Sequence, residues 1–168
     1  IEDTELKEMM TELNQIDKEA IQRISNIVTS LKKFVRLDEA ELQEADINKE
    51  LDLTLDLIRH ETKNRIEVIK KYGKIPMVKC FPNMLNQVFT NILINACQSI
   101  EGSGSITITT EYKKKKLIVK IKDTGKGIPQ NELSKIFTAG YTTKGVGVGT
   151  GLGLAISSKI IEKHKGEI

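Results

Sequence analysis

Two asparagines spaced four residues apart are the first side chains of this sequence that could hold a ligand. Asn91 and Asn95 lie in the segment NILINACQ, where a helical period places both carboxamides on the same helix face. The neighbouring residues are apolar, so two buried carboxamides on one stripe need a polar partner. Amide oxygens are neutral, hard ligands that suit Mg²⁺, which keeps most of its waters and takes few protein ligands. The pair therefore predicts a polar ligand site, with a purely structural pair of asparagines as the alternative.

A carboxylate at the end of a predicted strand is the second candidate. Asp123 closes the segment KIKD and is followed by the turn sequence TGKGIP. An aspartate in this place commonly caps the turn, and that interpretation stays open. The other interpretation is that its carboxylate accepts a hydrogen bond from an exocyclic amine, while Gly125 and Gly127 let the backbone approach a flat ring.

A glycine-rich loop precedes the last predicted helix. The segment GVGVGTGLGLAIS, residues 145–157, has glycine at every second position up to Gly153 and then becomes apolar. It matches neither a Walker A loop nor a dinucleotide fingerprint, because the glycines alternate strictly. Thr150 and Gly151 lead into a helix whose free N–H groups and positive dipole end attract phosphate, with the ammonium of Lys144 nearby. We expect a lid that closes over an anionic ligand and reopens.

Alternating helices and strands must position these residues. Asp46, with Glu50 early in the first turn, caps the predicted helix INKELDLTLDLIRHETK, and Pro82 opens the helix NMLNQVFTNILINACQSI. This order predicts an antiparallel sheet with helices on one face. The other predicted elements are the strands RIEVIKKYG and IPMVKC, the hairpin GSITITTEYKKKKLIVKIKD with its turn at Lys113–Lys116, and the helices PQNELSKIF and GLAISSKIIEKHKG.

An apolar seam at near-heptad spacing runs through residues 1–37, which contain no glycine or proline. A helix of about 33 residues would be roughly 50 Å long. Such a seam predicts a coiled coil or bundle with partner helices rather than packing on its own globule. The seam consists of Leu6, Met9, Leu13, Ile16, Ala20, Ile24, Ile27, Leu31 and Phe34.

Composition limits the class of protein. The 168 residues suit one domain with a helical appendage, and 39% apolar but only 4% aromatic residues predict an aliphatic core. A net charge of +3, with evenly mixed signs, argues against a nucleic-acid partner. No apolar run could span a membrane and no signal peptide is evident, so a cytoplasmic location is expected. Cys80 and Cys97 lack metal-site spacing and are expected to be reduced, buried thiols.

Four segments in order resemble the motifs of one family. NQVFTNILINACQSI, DTGKGIP, IFTAGYTTKG and GTGLGLAIS resemble the N box, first glycine box, F box and second glycine box of sensor histidine kinases, over about residues 20 to 168. These kinases share the ATP-binding fold of gyrase, MutL and the ninety-kilodalton chaperone. The resemblance implies an α+β fold, a two-layer α/β sandwich with a mixed, mostly antiparallel sheet and helices on one face. The resemblance implies ATP and Mg²⁺ as cofactors. It assigns to the ATP site Asn91, Asn95, Gln98, Asp123, Gly125, Gly127, Ile128, Lys144, Thr150, Gly151, Leu152 and Gly153.

The resemblance also implies a role for each group. Asn95 would bind Mg²⁺ directly and Asn91 would support it through water. Asp123 would bind the adenine amine, with Gly125, Gly127 and Ile128 lining the base pocket. Lys144 and the turn of residues 150–153 would hold the phosphates under the lid.

The same resemblance divides the chain. Residues 1–40 would be the second helix of the dimerisation hairpin, and residues 41–168 the ATP-binding catalytic domain. The first hairpin helix, with its phosphorylated histidine, and the C-terminal strands of the family are missing, so we expect a fragment of a kinase. The implied partners are a second copy, through the amino-terminal bundle, and a response regulator; membrane anchoring of the parent protein stays open.

Neither histidine is predicted to be the phosphate acceptor. His60 lies in HETKN, which mimics the H-E-x-x-N acceptor signature, but it ends a helix that the resemblance assigns to the ATP-binding domain. A cation near a helix C-terminus is the simpler interpretation. His164, in the last turn of the final helix, is expected to cap that helix or lie at the surface.

The predicted function is transfer of the ATP γ-phosphate to a histidine on the dimerisation helix, and then to an aspartate of a response regulator. Hydrolysing relatives carry a glutamate where this chain has Asn91, which is a poor base, so transfer is favoured over hydrolysis. The alternatives are a hydrolysing ATPase of the same fold and a dimeric module that senses ATP without chemistry.

Overall fold

The structure, a computed structural model, describes residues 41–143 and 149–168 and, nearer the amino terminus, residues 7, 10, 11, 14–18, 20 and 21. Those amino-terminal residues are helical, and Ile16 and Ala20 of the predicted seam are exposed. The other seam residues lie outside the described part of the chain. The boundary at residue 40 and the dimeric bundle therefore stay predictions.

Short strands and helices alternate along the described chain. Four helices and five strands are present in the two described ranges. In chain order they are β1 (Gln43–Ala45), α1 (Ile47–Leu57), α2 (Arg59–Thr62), β2 (Ile66–Tyr72), β3 (Val78–Cys80), α3 (Pro82–Ser99), β4 (Gly104–Lys113), β5 (Lys116–Asp123) and α4 (Gly153–Lys163).

The strands pair in a mixed pattern. β4 lies between β2, its parallel neighbour, and β5, its antiparallel neighbour. β1 and β3 form a separate antiparallel pair. The predicted α+β class and the mixed, mostly antiparallel pairing are confirmed, although the described strands form two sheets instead of one.

One face of the three-stranded sheet packs against the helices. Ile106 and Ile108 of β4 are fully buried and alternate with half-buried threonines that face the other way. Leu51 of α1, Leu93 of α3 and Ile160 of α4 are also fully buried, in the same hydrophobic cluster. The predicted second layer of helices, with an aliphatic core, therefore forms on one side of the sheet.

The first predicted helix is interrupted. Asp46 caps α1 as predicted, because its Oδ1 accepts the Asn48 N–H at 3.0 Å. The helix ends at Leu57, and Ile58, with φ of −96° and ψ of 12°, separates it from the single turn α2. Ile58 is only 2% exposed and continues the buried face of Leu51 and Leu55. A continuous helix over residues 47–63 was therefore the wrong expectation.

The predicted hairpin turn is confirmed. Lys113 pairs with Lys116, and Lys114 and Lys115 between them have φ of 51° and 62°. Positive φ at both central residues is the signature of a type I′ turn, whose twist matches that of the flanking strands. The four lysines are exposed, as expected for a solvated turn.

The segment PQNELSKIF does not form the predicted helix. Backbone bonds join Glu132 N–H to Pro129 O at 2.9 Å and Lys135 N–H to Glu132 O at 2.8 Å, which produces successive turns. Leu133 is 40% exposed, so this segment buries too little apolar surface to stabilise a short helix.

Strand β1 was not predicted. Its three residues pair with β3, from Gln43 opposite Cys80 to Ala45 opposite Val78. Three residues are too few to show an alternating pattern, and only Ala45 is buried. The strand exists because a partner edge is available.

Both cysteines are buried free thiols. Cys80 and Cys97 are free and buried, and burial raises the pKa of each thiol. Little thiolate, the reactive form, is then present at neutral pH.

No helix in the described part of the chain is long and apolar enough to cross a membrane.

The C-terminus of α3 is fixed by one guanidinium. Arg65 Nη1 donates to Ile100 O at 3.0 Å and to Gly102 O at 3.3 Å, while Nη2 donates to Cys97 O. Its Nε donates to Glu61 O at 3.1 Å. Carbonyls at a helix end have no intrahelical partner, so this planar set of donors satisfies them.

We expect Arg65→Lys to lower the free energy of unfolding by about 1–3 kcal/mol, because lysine keeps the charge but cannot reach several carbonyls at once. Denaturant unfolding followed by circular dichroism measures this change. Lys120→Ala is the control, since its 2.9 Å ion pair with Glu111 is exposed and its loss should leave the unfolding midpoint unchanged. Equal midpoints for both variants would contradict the proposed role of Arg65.

Candidate functional site

A polar ridge runs along α3. Asn83, Gln87, Asn91, Asn95 and Ser99 follow one another at every fourth residue, and all except the exposed Asn83 are half-buried. Residues four apart are neighbours on a helix surface. Sequence reasoning identified only the two central asparagines, although the same spacing was visible on both sides of them.

A cleft of about 400 Å³ opens between α3 and the start of α4. This volume lies within the range of small-molecule sites. Of the predicted residues, the cleft brings together Asn91, Thr150 and Gly153. It is lined by Asn83, Asn86, Gln87, Thr90, Asn91, Thr150, Gly153 and Ile156.

Asn91 connects the two walls of the cleft. Its Nδ2 donates to Gly153 O at 3.0 Å and to Ser157 Oγ at 3.3 Å. The Gly153 carbonyl can only accept, so the amide nitrogen must face α4, and the amide oxygen is left for another partner. Asn91 thus has structural partners on α4, and the role of the asparagine pair toward a ligand stays a prediction.

The N-terminus of α4 presents backbone donors to the cleft. No side chain caps its first turn, and that turn contains no acidic residue. The Thr150 hydroxyl oxygen accepts a long 3.4 Å bond from the Leu152 N–H, just before the helix begins at Gly153. Open first-turn N–H groups and the positive end of the helix dipole favour an anion here.

Gly151 fastens one end of the glycine-rich loop. It has φ of 65°, and its carbonyl accepts the Gly140 N–H at 3.0 Å. A Cβ at this position would lie 2.4 Å from Gly140 C and 2.7 Å from Tyr141 N, so only glycine allows the approach. Residues 144–148, with Lys144, lie outside the described part of the chain. The lid and the lysine–phosphate contact stay predictions.

The preceding turns run directly into this loop base. The Tyr141 N–H donates to Thr138 O at 3.1 Å. Desolvation of the partly buried ring and the charge of Glu132 raise the pKa of the Tyr141 hydroxyl. The turns over 129–138, although not helical, are thus bonded to the base of the loop.

The carboxylate of Asp123 is held by two donors. Its Oδ1 accepts the Gly125 N–H at 2.8 Å and the Ser99 hydroxyl at 3.1 Å. The first bond confirms that Asp123 caps its turn. Because both donors reach the same oxygen, Oδ2 is left for a further donor.

The remaining predicted residues lie outside the lining of the cleft. Asn95 is half-buried one turn beyond Asn91, Gln98 is exposed, and Ile128 is 49% exposed. Asn91 and Ser99 are separated by about 12 Å along the helix axis at 1.5 Å per residue. The cleft and Asp123 therefore stand at two places along one ridge, with Asn95 between them.

A metal at this site would depend on amide oxygens. In the ranges that the structure describes, no group of three or more histidine, cysteine, aspartate or glutamate side chains could hold a metal ion. Mg²⁺ takes few protein ligands and keeps water and phosphate oxygens, so a carboxamide ridge beside an anion site fits its chemistry. The amide oxygen of Asn91, which faces away from α4, is one suitable metal ligand.

Both histidines have structural surroundings. His60 has a side chain 74% exposed and lies 3.4 Å from Glu61 in the single turn α2. His164 ends α4, where Nε2 accepts the Phe81 N–H at 3.0 Å and Nδ1 donates to Ile160 O at 2.7 Å. The expected capping role of His164 is confirmed, and the ring also joins the end of α4 to the start of α3.

Residues 81–168 match the model of the histidine kinase-, DNA gyrase B- and HSP90-like ATPase family. The match begins at the residue that precedes α3 and includes the cleft, the Asp123 turn and α4. The chain belongs to this family.

Curated relatives are sensor histidine kinases. Sensor histidine kinase ZraS of Escherichia coli K12 is 32% identical over 160 residues, covering 94% of this chain and 34% of the relative. Signal transduction histidine-protein kinase AtoS of the same strain is 34% identical over 151 residues, covering 88% and 24%. The chain thus spans about a third or less of the length of these relatives. It corresponds to their ATPase domain, which is of the histidine-kinase type.

Solved structures agree with this assignment. The catalytic domain of histidine kinase ThkA, nucleotide-free, has a TM-score of 0.67 and 30% identity, covering 74% of this chain and 81% of that one. Full-length ShkA, solved in complex with AMPPNP, has a TM-score of 0.72 and 25% identity, covering 86% and 32%. The fold of the histidine-kinase catalytic domain is therefore present in this chain.

We expect Gly151→Ala to lower the free energy of unfolding by about 1–3 kcal/mol, because alanine strains the positive φ and collides with Gly140. Gly153→Ala is the matched control. A Cβ there would lie no closer than 3.5 Å to Asn91 atoms, and a change within about 0.5 kcal/mol is expected. Thermal and denaturant unfolding compare the two variants, and equal losses would contradict the close-approach role of Gly151.

Proposed function

We propose that this ATPase domain is the catalytic part of a sensor histidine kinase and transfers the γ-phosphate of ATP to a histidine. The observation that supports it is the single ridge of α3, which runs from the cleft at the open N-terminus of α4 to Asp123. One rigid helix thus connects an anion site with a carboxylate that can accept a hydrogen bond from an amine. This arrangement suits a molecule with phosphates at one end and an amino-substituted base at the other.

The base end of ATP is assigned to the Asp123 turn. Oδ2 of Asp123 accepts the exocyclic amine of adenine, since Oδ1 already has two donors. Gly125 and Gly127 let the backbone lie beside the ring plane, and the exposed side chain of Ile128 covers one side of it. Guanine presents a carbonyl at the equivalent ring position and would meet the carboxylate with an acceptor.

The phosphate end is assigned to the cleft. The first-turn N–H groups of α4 and the Thr150 hydroxyl bind phosphate oxygens, and Leu152 and Gly153 belong to the same turn. Lys144 adds an ammonium from the lid. Charge on the transferred group is then balanced by fixed backbone dipoles and one lysine.

Asn95 and Asn91 are the proposed metal-site residues. Asn95 would hold Mg²⁺ directly, and Asn91 would support it through water with its remaining amide oxygen. When bound, Mg²⁺ would neutralise negative charge on the phosphates. Gln98, about one turn after Asn95, is included in the proposed nucleotide site on the resemblance to the family alone.

The reaction is an in-line displacement. A nitrogen of the acceptor imidazole attacks the γ-phosphorus, the bond from that phosphorus to the bridging oxygen breaks, and ADP leaves with the electron pair. The protein contributes positioning and charge neutralisation. Asn91 cannot act as a base toward water, so hydrolysis is not favoured.

The acceptor histidine is proposed to lie on the first helix of the dimerisation hairpin. Both ring nitrogens of His164 already make hydrogen bonds, and His60 lies in the separate turn α2. Residues 1–40 would pair with a second copy in a four-helix bundle. A response regulator then receives the phosphoryl group on an aspartate.

We expect Asn95→Ala to abolish binding of Mg·ATP while the fold is kept, because the direct metal ligand is lost. Isothermal titration calorimetry measures the affinity, and circular dichroism checks the fold. Asn131→Ala removes an exposed carboxamide away from the cleft and should bind as the wild type does. Retained affinity in Asn95→Ala would contradict the metal-site assignment.

Phosphotransfer is tested with γ-labelled ATP, Mg²⁺ and a separately made, histidine-bearing dimerisation helix. Acid-labile label on the helix is the expected result. Label released only as inorganic phosphate would identify a hydrolysing ATPase. Binding of ATP without either product would leave the ATP-sensing module as the function.

A further inference from the structure

We infer that Ser99 is a positioning residue for base recognition: it fixes the Asp123 carboxylate so that Oδ2 faces the exocyclic amine of the nucleotide. This inference rests on the proposed function. Ser99 is the last residue of α3 and lies four residues, about one helical turn, after Asn95 on the polar ridge. It was not among the residues that the sequence analysis selected.

The hydroxyl of Ser99 and the amide of Gly125 hold the same oxygen of Asp123. The distances to Oδ1 are 3.1 Å from Ser99 Oγ and 2.8 Å from the Gly125 N–H. A carboxylate held by one donor can still turn about its Cβ–Cγ bond. Two donors from different directions fix the plane of the carboxylate and hence the direction of Oδ2.

The turn is also packed directly on Ser99. A Cβ on Gly125 would lie 1.9 Å from Ser99 Oγ and 2.6 Å from Ser99 Cβ, so glycine is required for the approach. The Lys126 N–H donates to Ser99 O at 3.1 Å. The segment 123–126 is therefore fastened to one residue by its side chain, its backbone and close packing.

The support for Ser99 is rigid. Arg65 holds the carbonyls of Cys97 and Ile100, which flank Ser99 at the end of α3. The single proton of the Ser99 hydroxyl is shared between Ala96 O at 2.8 Å and Asp123 Oδ1 at 3.1 Å, and the bond to the carboxylate is the charge-assisted one. The position of Asp123 is thus set by the helix that carries the proposed metal ligands.

The test compares ATP with purine riboside triphosphate, which lacks the exocyclic amine. Ser99→Ala should weaken ATP binding about tenfold, because Oδ2 is no longer aimed, and should change purine riboside triphosphate binding by less than about twofold. A merely structural role of Ser99 would weaken both nucleotides alike. Calorimetry in the presence of Mg²⁺ measures both affinities.

Thr124→Val is the matched control. The Thr124 hydroxyl accepts the Ser105 N–H at 3.0 Å in the same turn, and its loss leaves both donors to Asp123 in place. The ratio of the two affinities should equal that of the wild type. Ser99→Cys, which keeps the side-chain volume with a weaker donor, should give an intermediate ratio and replaces the alanine variant if that variant does not fold.

The outcomes separate two failures. If the wild type binds neither nucleotide, the proposed function fails. If the wild type prefers ATP and Ser99→Ala keeps that preference, or loses affinity for both nucleotides equally, only the role of Ser99 is overturned. Loss of the preference for ATP in Ser99→Ala alone supports the inference.

Discussion

The structure depends on one constraint: α3 must bury one side in an aliphatic core while its other side keeps polar groups at every fourth residue. Leu93 and Cys97 are fully buried on the first side, and Asn91 and Asn95 are half-buried on the second. Burial holds the helix in place, and a fixed helix gives the polar groups fixed directions. Its two ends are held by different contacts. At the start of α3, the His164 ring accepts the Phe81 N–H, and at its end the Arg65 guanidinium donates to the last carbonyls.

Asn91 shows how one side chain can serve both packing and ligand binding. Its nitrogen binds the Gly153 carbonyl, so α3 and α4 form the walls of the cleft as a unit. The same bond turns the amide oxygen away from α4 and frees it. A glutamate carboxylate at this position could not donate to that carbonyl, so this bond between the two walls would be lost. The neutral amide therefore serves the packing as well as the proposed transfer chemistry.

Periodicity predicted the elements that bury many residues, and it failed where few residues are buried. The apolar pattern of α3 and the alternation in β4 and β5 specified those elements well. β1 was missed because Gln43–Ala45 is too short to alternate, and residues 129–138 were taken for a helix that buries too little surface. In the site, Asn91 and Asp123 stood out by type, whereas Ser99 resembles any serine at a helix end. Only its contact with Asp123 distinguishes it.

The glycine-rich segments have a physical role that their flexibility in an unfolded chain does not suggest. Gly125 and Gly151 both lie where one backbone packs against another residue, at distances that exclude a Cβ. These contacts fasten the Asp123 turn to α3 and the start of α4 to Gly140, and both are complete without residues 144–148. The Asp123 turn at the proposed base end is therefore held in place by described residues alone, whereas the contribution of Lys144 to the phosphate end stays a prediction.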